Sequence, residues 1–211
     1  MLQYTAVYPG TLELLKSLMI KSYLSDFNLV GGTSLALQIG HRISIDIDLF
    51  TENKNVDFND IKSQLENDYK LSGIVESKAI LIQNIEYPES SNIYIKVDLV
   101  KYPYKAISPV IITDGIRLLS KEDIIPMKLS AIANRGSKKD FYDIYFLLQE
   151  YSLKQMFEFF ESKYANHNYF HVIKSLTYFD DAEKDISPKV IKECSWKEIK
   201  QLIQKKVREY L

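Results

Sequence analysis

The chain is poor in cysteine, in glycine and in long apolar runs, and each shortage excludes something. Cys194 is the single cysteine of 211 residues, so no internal disulfide forms, and a reducing cytoplasm is the expected setting. No apolar run approaches the roughly 18–20 residues of a membrane helix, so no membrane partner is expected. The opening MLQYTAVYPG has no basic segment followed by an apolar stretch, so no signal peptide is expected. Charge of one sign is lacking too. Lys and Arg total 27 against 28 Asp and Glu, a net charge of −1, which excludes a polybasic tail or an acidic disordered segment. The P-loop pattern G-x-x-x-x-G-K-[ST] is missing, which disfavours that class of nucleotide hydrolase. What the chain does have is 46% hydrophobic residues, enough at this length for a core without staples. Of only seven glycines, two are adjacent, Gly31 and Gly32.

Periodicity divides the chain. Apolar spacing predicts a helix over 11–25, a short strand over 27–30 and a helix over 33–39 that ends at Gly40. SIDIDLF, 44–50, alternates as a strand, with Ile45, Ile47 and Leu49 on one face and Ser44, Asp46, Asp48 and Phe50 on the other. A helix is expected over 59–70 and strands over 74–82 and 93–100; in the last, Asp98 lies on the polar face. From Ser120 the pattern is helical. Ser120 with Asp123 and Ser195 with Glu198 read as helix starts, Pro126 as the first turn of a new helix, and Ser187-Pro188 as a further start. The expected fold is α+β: a mixed sheet with flanking helices over 1–118, then a helical region over 119–211 packed closely on it, since no Pro/Gly/Ser-rich linker intervenes.

The chemistry gathers around Gly31-Gly32-Thr33-Ser34. A strand, a glycine turn and a helix N-terminus form an anion site, with Thr33 or Ser34 capping the helix and donating a hydroxyl. A glycine pair alone is more often a plain turn. Asp46 and Asp48 alter that weighting, because carboxylates two apart on a strand project side by side and repel. A divalent cation offsets the repulsion best, and hard oxygen ligands suit Mg2+. If the strand of Asp98 joins the same sheet, three carboxylates converge. Three can hold two Mg2+ ions roughly 4 Å apart, the arrangement that clamps attacking and leaving oxygens in phosphoryl transfer. Each of these features alone is also compatible with a solvated strand face.

Together they resemble nucleotidyltransferases of the DNA polymerase β type. GGTSLALQIGHRISIDIDLF, with its Arg42-x-Ser44-x-Asp46-x-Asp48 run, is similar to the first motif of the AbiEii/AbiGii toxin family. Pro126-x-Lys128-Leu129-x-Ala131, Arg135 and Lys139-Asp140-x-x-Asp143 resemble that family's later motifs, and the likeness spans roughly 29–148. The resemblance implies transfer of a nucleoside monophosphate from an NTP to an acceptor hydroxyl. The implied acceptor is RNA, with tRNA ends foremost, in a growth-arresting toxin controlled by a cognate antitoxin. It implies Asp46, Asp48 and Asp98 as ligands of Mg2+, or Mn2+ in its place, with Asp98 also the base, and the Gly31–Ser34 turn against the nucleotide. Lys128 is then the phosphate cation. Arg135 either joins it or pairs with Asp140 or Asp143, and Asp140 is the functional acid of that pair. An aminoglycoside-type small-molecule transferase, or a nucleotide-binding module without catalysis, shares these residues.

Other features are set aside. His167 and His171 lack a third ligand, His41 reads as a turn or packing residue, and Cys194 has no partner that would activate it. The basic run Lys128, Arg135, Lys138 and Lys139, with Lys205 and Lys206 near the C-terminus, is the one charge feature that suits an extended acceptor.

Overall fold

The computed structural model describes residues 1–165 and 169–211, so His167 lies outside the described residues. Helix α1 (Pro9–Met19) is shorter than its apolar spacing predicts, because the chain breaks into a 3-10 turn at Ser22–Leu24. Strand β1 (Asn28–Leu29) feeds helix α2 (Gly31–Ile39), which stops at Gly40 as expected. Strand β2 (Ile47–Thr51) starts three residues later than the alternation suggested. Ile45 is therefore 59% exposed instead of sharing the buried face of Ile47 and Leu49.

Helix α3 (Phe58–Asp68) is followed by β3 (Leu71–Glu76), β4 (Ile80–Glu86) and β5 (Tyr94–Lys101). The single strand expected over 74–82 is thus two, joined by a turn at 77–79. Strands β6 (Ile111–Thr113) and β7 (Ile116–Leu118) complete a mixed sheet in the order β3-β4-β5-β2-β1-β7-β6. Within it β2 and β5 run parallel, with Asp48 opposite Asp98. One face buries Leu29, Ile47, Leu49, Leu81, Val97 and Leu99 against α1 and α3.

Helix α4 (Lys121–Asn134) is capped by Ser120, whose Oγ accepts from the Asp123 amide. Pro126 lies inside this helix and does not begin a new one. Its missing N–H forfeits one intrahelical bond, while burial of Ile124, Ile125 and Leu129 carries the helix through. Helices α5 (Lys138–Leu147), α6 (Leu153–Lys163), α7 (Phe170–Ser175), α8 (Asp180–Glu183) and α9 (Trp196–Tyr210) form a second core with α2 and α4. The Ser195–Glu198 pair forms the capping box at the start of α9. Ser187-Pro188 starts no helix. The backbone there is extended and lies along the loop before β2: the Ile43 amide donates to the Lys189 carbonyl at 2.8 Å and the Ile191 amide to His41 at 2.8 Å.

Candidate active site

A cavity of about 610 Å3 opens where the first turn of α2, the loop before β2, β5 and α4 meet. Gly31 and Gly32 line it; Thr33 and Ser34 do not. Helix α2 begins two residues before the hydroxyls, with Val30 as N-cap and no side-chain cap, so the expected capping by Thr33 or Ser34 does not occur. Thr33 is buried; its hydroxyl donates to the Asp46 carbonyl and shares a second hydrogen bond of 2.8 Å with the Ser44 hydroxyl, tying the helix to the loop before β2. Ser34 is buried against the Leu119 carbonyl and the Gln38 amide. The hydroxyl-bearing residues that line the cavity are Ser44 and Tyr8. First-turn amides lack intrahelical acceptors, so the end of α2 remains an anion site made from backbone.

The glycines are there for space. Gly31 has φ +67°, and a Cβ on it would lie 2.2 Å from Asp48 Oδ2. A Cβ on Gly32 would lie 2.5 Å from Arg42 Nη2. Gly31→Ala is therefore expected to displace the Asp48 carboxylate and to strain the backbone as well. Activity should fall at least tenfold, and the melting temperature should fall by several degrees, in line with roughly 1–2 kcal/mol of strain. A variant with wild-type turnover would remove Gly31 from the site.

Asp48 and Asp98 face each other from neighbouring strands. Burial, then the charges of Asp98 and Asp46, push the Asp48 carboxyl up to about 6 against the pull of Lys128. Asp98 Oδ2 takes Lys96 Nζ at 2.6 Å, while its Oδ1 is buried with no hydrogen-bond partner. Asp46 stands apart, half exposed before the strand, with Lys139 Nζ 3.8 Å from its Oδ2. All three expected carboxylates line the cavity, Asp48 and Asp98 face to face and Asp46 at its open side; among the described residues no three acidic, His or Cys side chains form a ready metal cluster. The Asp48–Asp98 pair, with an orphaned oxygen and mutual repulsion, fits a hard divalent cation.

The expected phosphate cation Lys128 lines the cavity but is buried, with Nζ 2.5 Å from Asp143 and 3.1 Å from Asp140. Asp143 also takes Arg42 Nε at 2.6 Å and Nη2 at 2.9 Å, and His41 Nε2 at 2.7 Å. Burial opposes ionisation of Asp143, but Arg42 and Lys128 outweigh it and hold its pKa well below the carboxylate range. Burial also lowers the His41 pKa, against the pull of Asp143. Asp140 binds Lys128, the Arg135 guanidinium and the Ser137 hydroxyl; these overcome its burial and bring its pKa to about 2. Asp140 does not line the cavity; it positions the cations that do. Arg135 pairs with Asp140 at 2.9 Å, and its half-exposed side chain also borders the cavity, so the pairing does not withdraw it from the site.

The sequence reads His41 as a turn or packing residue and Asp143 as an alternative partner of Arg135, and offers no sign that Asp143 meets both His41 and Arg42. Pro188 and Lys189 were missed as walls of the cavity. Lys138, grouped with the acceptor-facing cations, is buried, with its Nζ donating to the Asp185 carbonyl at 2.6 Å. Lys205 and Lys206 both pair with Glu209 on α9.

A mixed sheet with aspartates on adjacent parallel strands, beside a helix opened by glycines, is the arrangement expected of a nucleotidyltransferase. The comparisons agree and narrow it. The family model "Nucleotidyl transferase AbiEii toxin, Type IV TA system" matches residues 13–208, and the chain belongs to that family. Protein aq_aa25 of Aquifex aeolicus (strain VF5) is 34% identical over 202 residues, 94% of this chain and 95% of its own. Two solved structures share the fold. JHP933 from Helicobacter pylori has a TM-score of 0.57 at 18% identity, over 97% of this chain and 96% of its own. The nucleotidyltransferase toxin MenT4 from Mycobacterium tuberculosis H37Rv has 0.53 at 11%, over 95% and 84%. Family membership implies an NTP substrate and an antitoxin partner. No helix among the described residues is long and apolar enough to cross a membrane.

Proposed function

We propose that the enzyme moves a nucleoside monophosphate from an NTP to a hydroxyl of RNA, with a tRNA end as the acceptor, in the reducing cytoplasm. The observation that carries this reading is the facing pair Asp48 and Asp98 beside the open first turn of α2. In this reading residues 1–118 supply the catalytic sheet, and residues 119–211 close the cavity over it. The triphosphate lies against the Gly31 and Gly32 backbone, with Lys128 and Arg135 facing its oxygens. Asp48 and Asp98, with Asp46 beside them, would hold Mg2+, or Mn2+ in its place. A bound divalent cation supplies charge neutralisation at the α-phosphate and at the leaving pyrophosphate. The acceptor oxygen attacks the α-phosphorus, its bond to the bridging oxygen breaks, pyrophosphate leaves, and Asp98 takes the hydroxyl proton. Positioning and charge stabilisation provide the catalysis.

The test is direct. Incubation with each labelled NTP, Mg2+ and total cellular RNA should label an RNA species. Acceptor affinity should fall with salt, by about 0.7 in log–log slope per phosphate contact on a single strand. A flat salt profile with label only in small molecules would move the assignment to a small-molecule transferase.

A further inference from the structure

Six basic side chains line the cavity: Arg42, Lys96, Lys128, Arg135, Lys139 and Lys189. Five are held by aspartates of the chain itself. Arg42 is on Asp143, Lys96 on Asp98, Lys128 on Asp140 and Asp143, Arg135 on Asp140, and Lys139 on Asp46. Lys189 is the exception: among the described residues no carboxylate or hydrogen-bond acceptor lies on its ammonium group, and it is exposed at the cavity wall. A lysine on a loose tail would signify little. This one is on a backbone that is fixed at both sides.

The extended segment after α8 crosses the loop before β2. The Ile43 amide donates to the Lys189 carbonyl at 2.8 Å, and the amides of Ile191 and Lys192 donate to His41 O at 2.8 and 3.2 Å. Val190 bridges Arg42 as in an antiparallel strand pair. Upstream, buried Lys138 clamps the segment, with its backbone amide on Asp185 Oδ2 at 2.8 Å and its Nζ on the Asp185 carbonyl at 2.6 Å. Pro188, with its restricted backbone, precedes the lysine and lines the same wall. Lys189 therefore stands at the cavity wall, on the segment paired with Arg42, whose guanidinium reaches to the Gly32 backbone at the anion-binding end of α2.

We infer that Lys189 is a binding residue for the polyphosphate of the incoming nucleotide, a role that rests on the nucleotidyl-transfer reading of this cavity. The internal pairs leave the other cations largely neutralised. A triphosphate brings several negative charges, and an unpaired ammonium can meet them without first giving up a partner. As a flexible point charge, lysine suits phosphate oxygens whose arrangement changes as pyrophosphate leaves.

The test compares wild type, Lys189→Ala, Lys189→Gln and Lys189→Arg. Binding is measured for inorganic tripolyphosphate with Mg2+ and for each ribonucleoside triphosphate and monophosphate. Wild type should bind tripolyphosphate. Lys189→Ala and Lys189→Gln should lose about tenfold or more in affinity for tripolyphosphate and for the triphosphates, the scale of one charged hydrogen bond. Monophosphate affinity should change little. KM for the NTP should rise with a smaller change in kcat, Lys189→Arg should recover most of the loss, and the melting temperature should stay put, because the side chain is exposed and unpartnered. Unchanged tripolyphosphate and NTP affinity in Lys189→Ala, with wild type binding normally, overturns the inference and leaves the reaction intact. A loss confined to acceptor affinity overturns it too, and moves Lys189 to the acceptor. A wild-type protein that binds neither probe overturns the nucleotide reading along with it.

Discussion

Asp48→Asn should abolish nucleotidyl transfer, with a loss of ~1000-fold or more, while making the metal-free protein more stable. The first effect follows from removing a charge that holds the cation and with it the electrostatic stabilisation of the reacting phosphate. The second follows from the raised pKa. Asp48 titrates at about 6 in the folded protein, against 3.8 as its ordinary value, because it is buried and faces Asp98. A carboxyl with a raised folded-state pKa binds its proton more tightly when folded. Its protonated form therefore favours folding at acid pH, and that contribution is lost as pH rises from about 4 through 6. The neutral amide does not suffer the loss. At pH 7.5 in a chelator, Asp48→Asn should melt several degrees above wild type, and the gap should shrink as pH approaches 4. Melting curves with and without Mg2+ separate the effects, since the cation should stabilise wild type and do little for the variant. A variant that melts lower than wild type in chelator would contradict the repulsive pair.

Asp143→Ala should be the most damaging single change to the fold. It removes the carboxylate shared by His41, Arg42 and Lys128 and leaves two buried cations without their main counter-charge. Breaking a buried pair from one side costs about 3–5 kcal/mol, which for a chain of this size lowers the melting temperature by ~10 °C. Asp143→Asn keeps the shape and some hydrogen bonds and should lose less. The acids also set a pH dependence. Asp140 and Asp143 are held below their ordinary pKa, so their stabilisation is present above about 4 and is lost as pH falls, that of Asp140 toward about 2. An Asp143→Ala protein that melts within a degree or two of wild type would show that the cluster contributes no net stability.

Much of this was legible in the residues. The alternation of IYIKVDLV found β5 almost to the residue, and the D-x-D run found β2, because one face of each strand is buried and the other bears charge. The hairpin over 71–86 was not legible. Strand β3 is an exposed edge strand with a bulge between Ser72 and Ile74, so it has no alternation to read. Ser187-Pro188 carried a genuine helix-start signal, but hydrogen bonds to His41 and Ile43, some 150 positions away, hold that backbone extended. The same limit hid Lys189. The burial of Lys128 was hidden for a related reason: spacing places a cation on a helix face, but only packing reveals which acids meet it. The hydroxyls of Thr33 and Ser34 were misread because the helix starts two residues before them.

The strand pairing that brings Asp98 to Asp48 needs only the first 101 residues, yet Arg42 is pinned by Asp143 and the cavity wall is closed by Lys189. During synthesis the carboxylates can meet long before the cations beside them are locked and the last wall arrives. The catalytic centre is thus assembled by its most distant contacts, which form late because the intervening chain must first be gathered in. A polypeptide that has left the ribosome only as far as β5 carries the facing carboxylates without the contacts that lock Arg42 and close the wall.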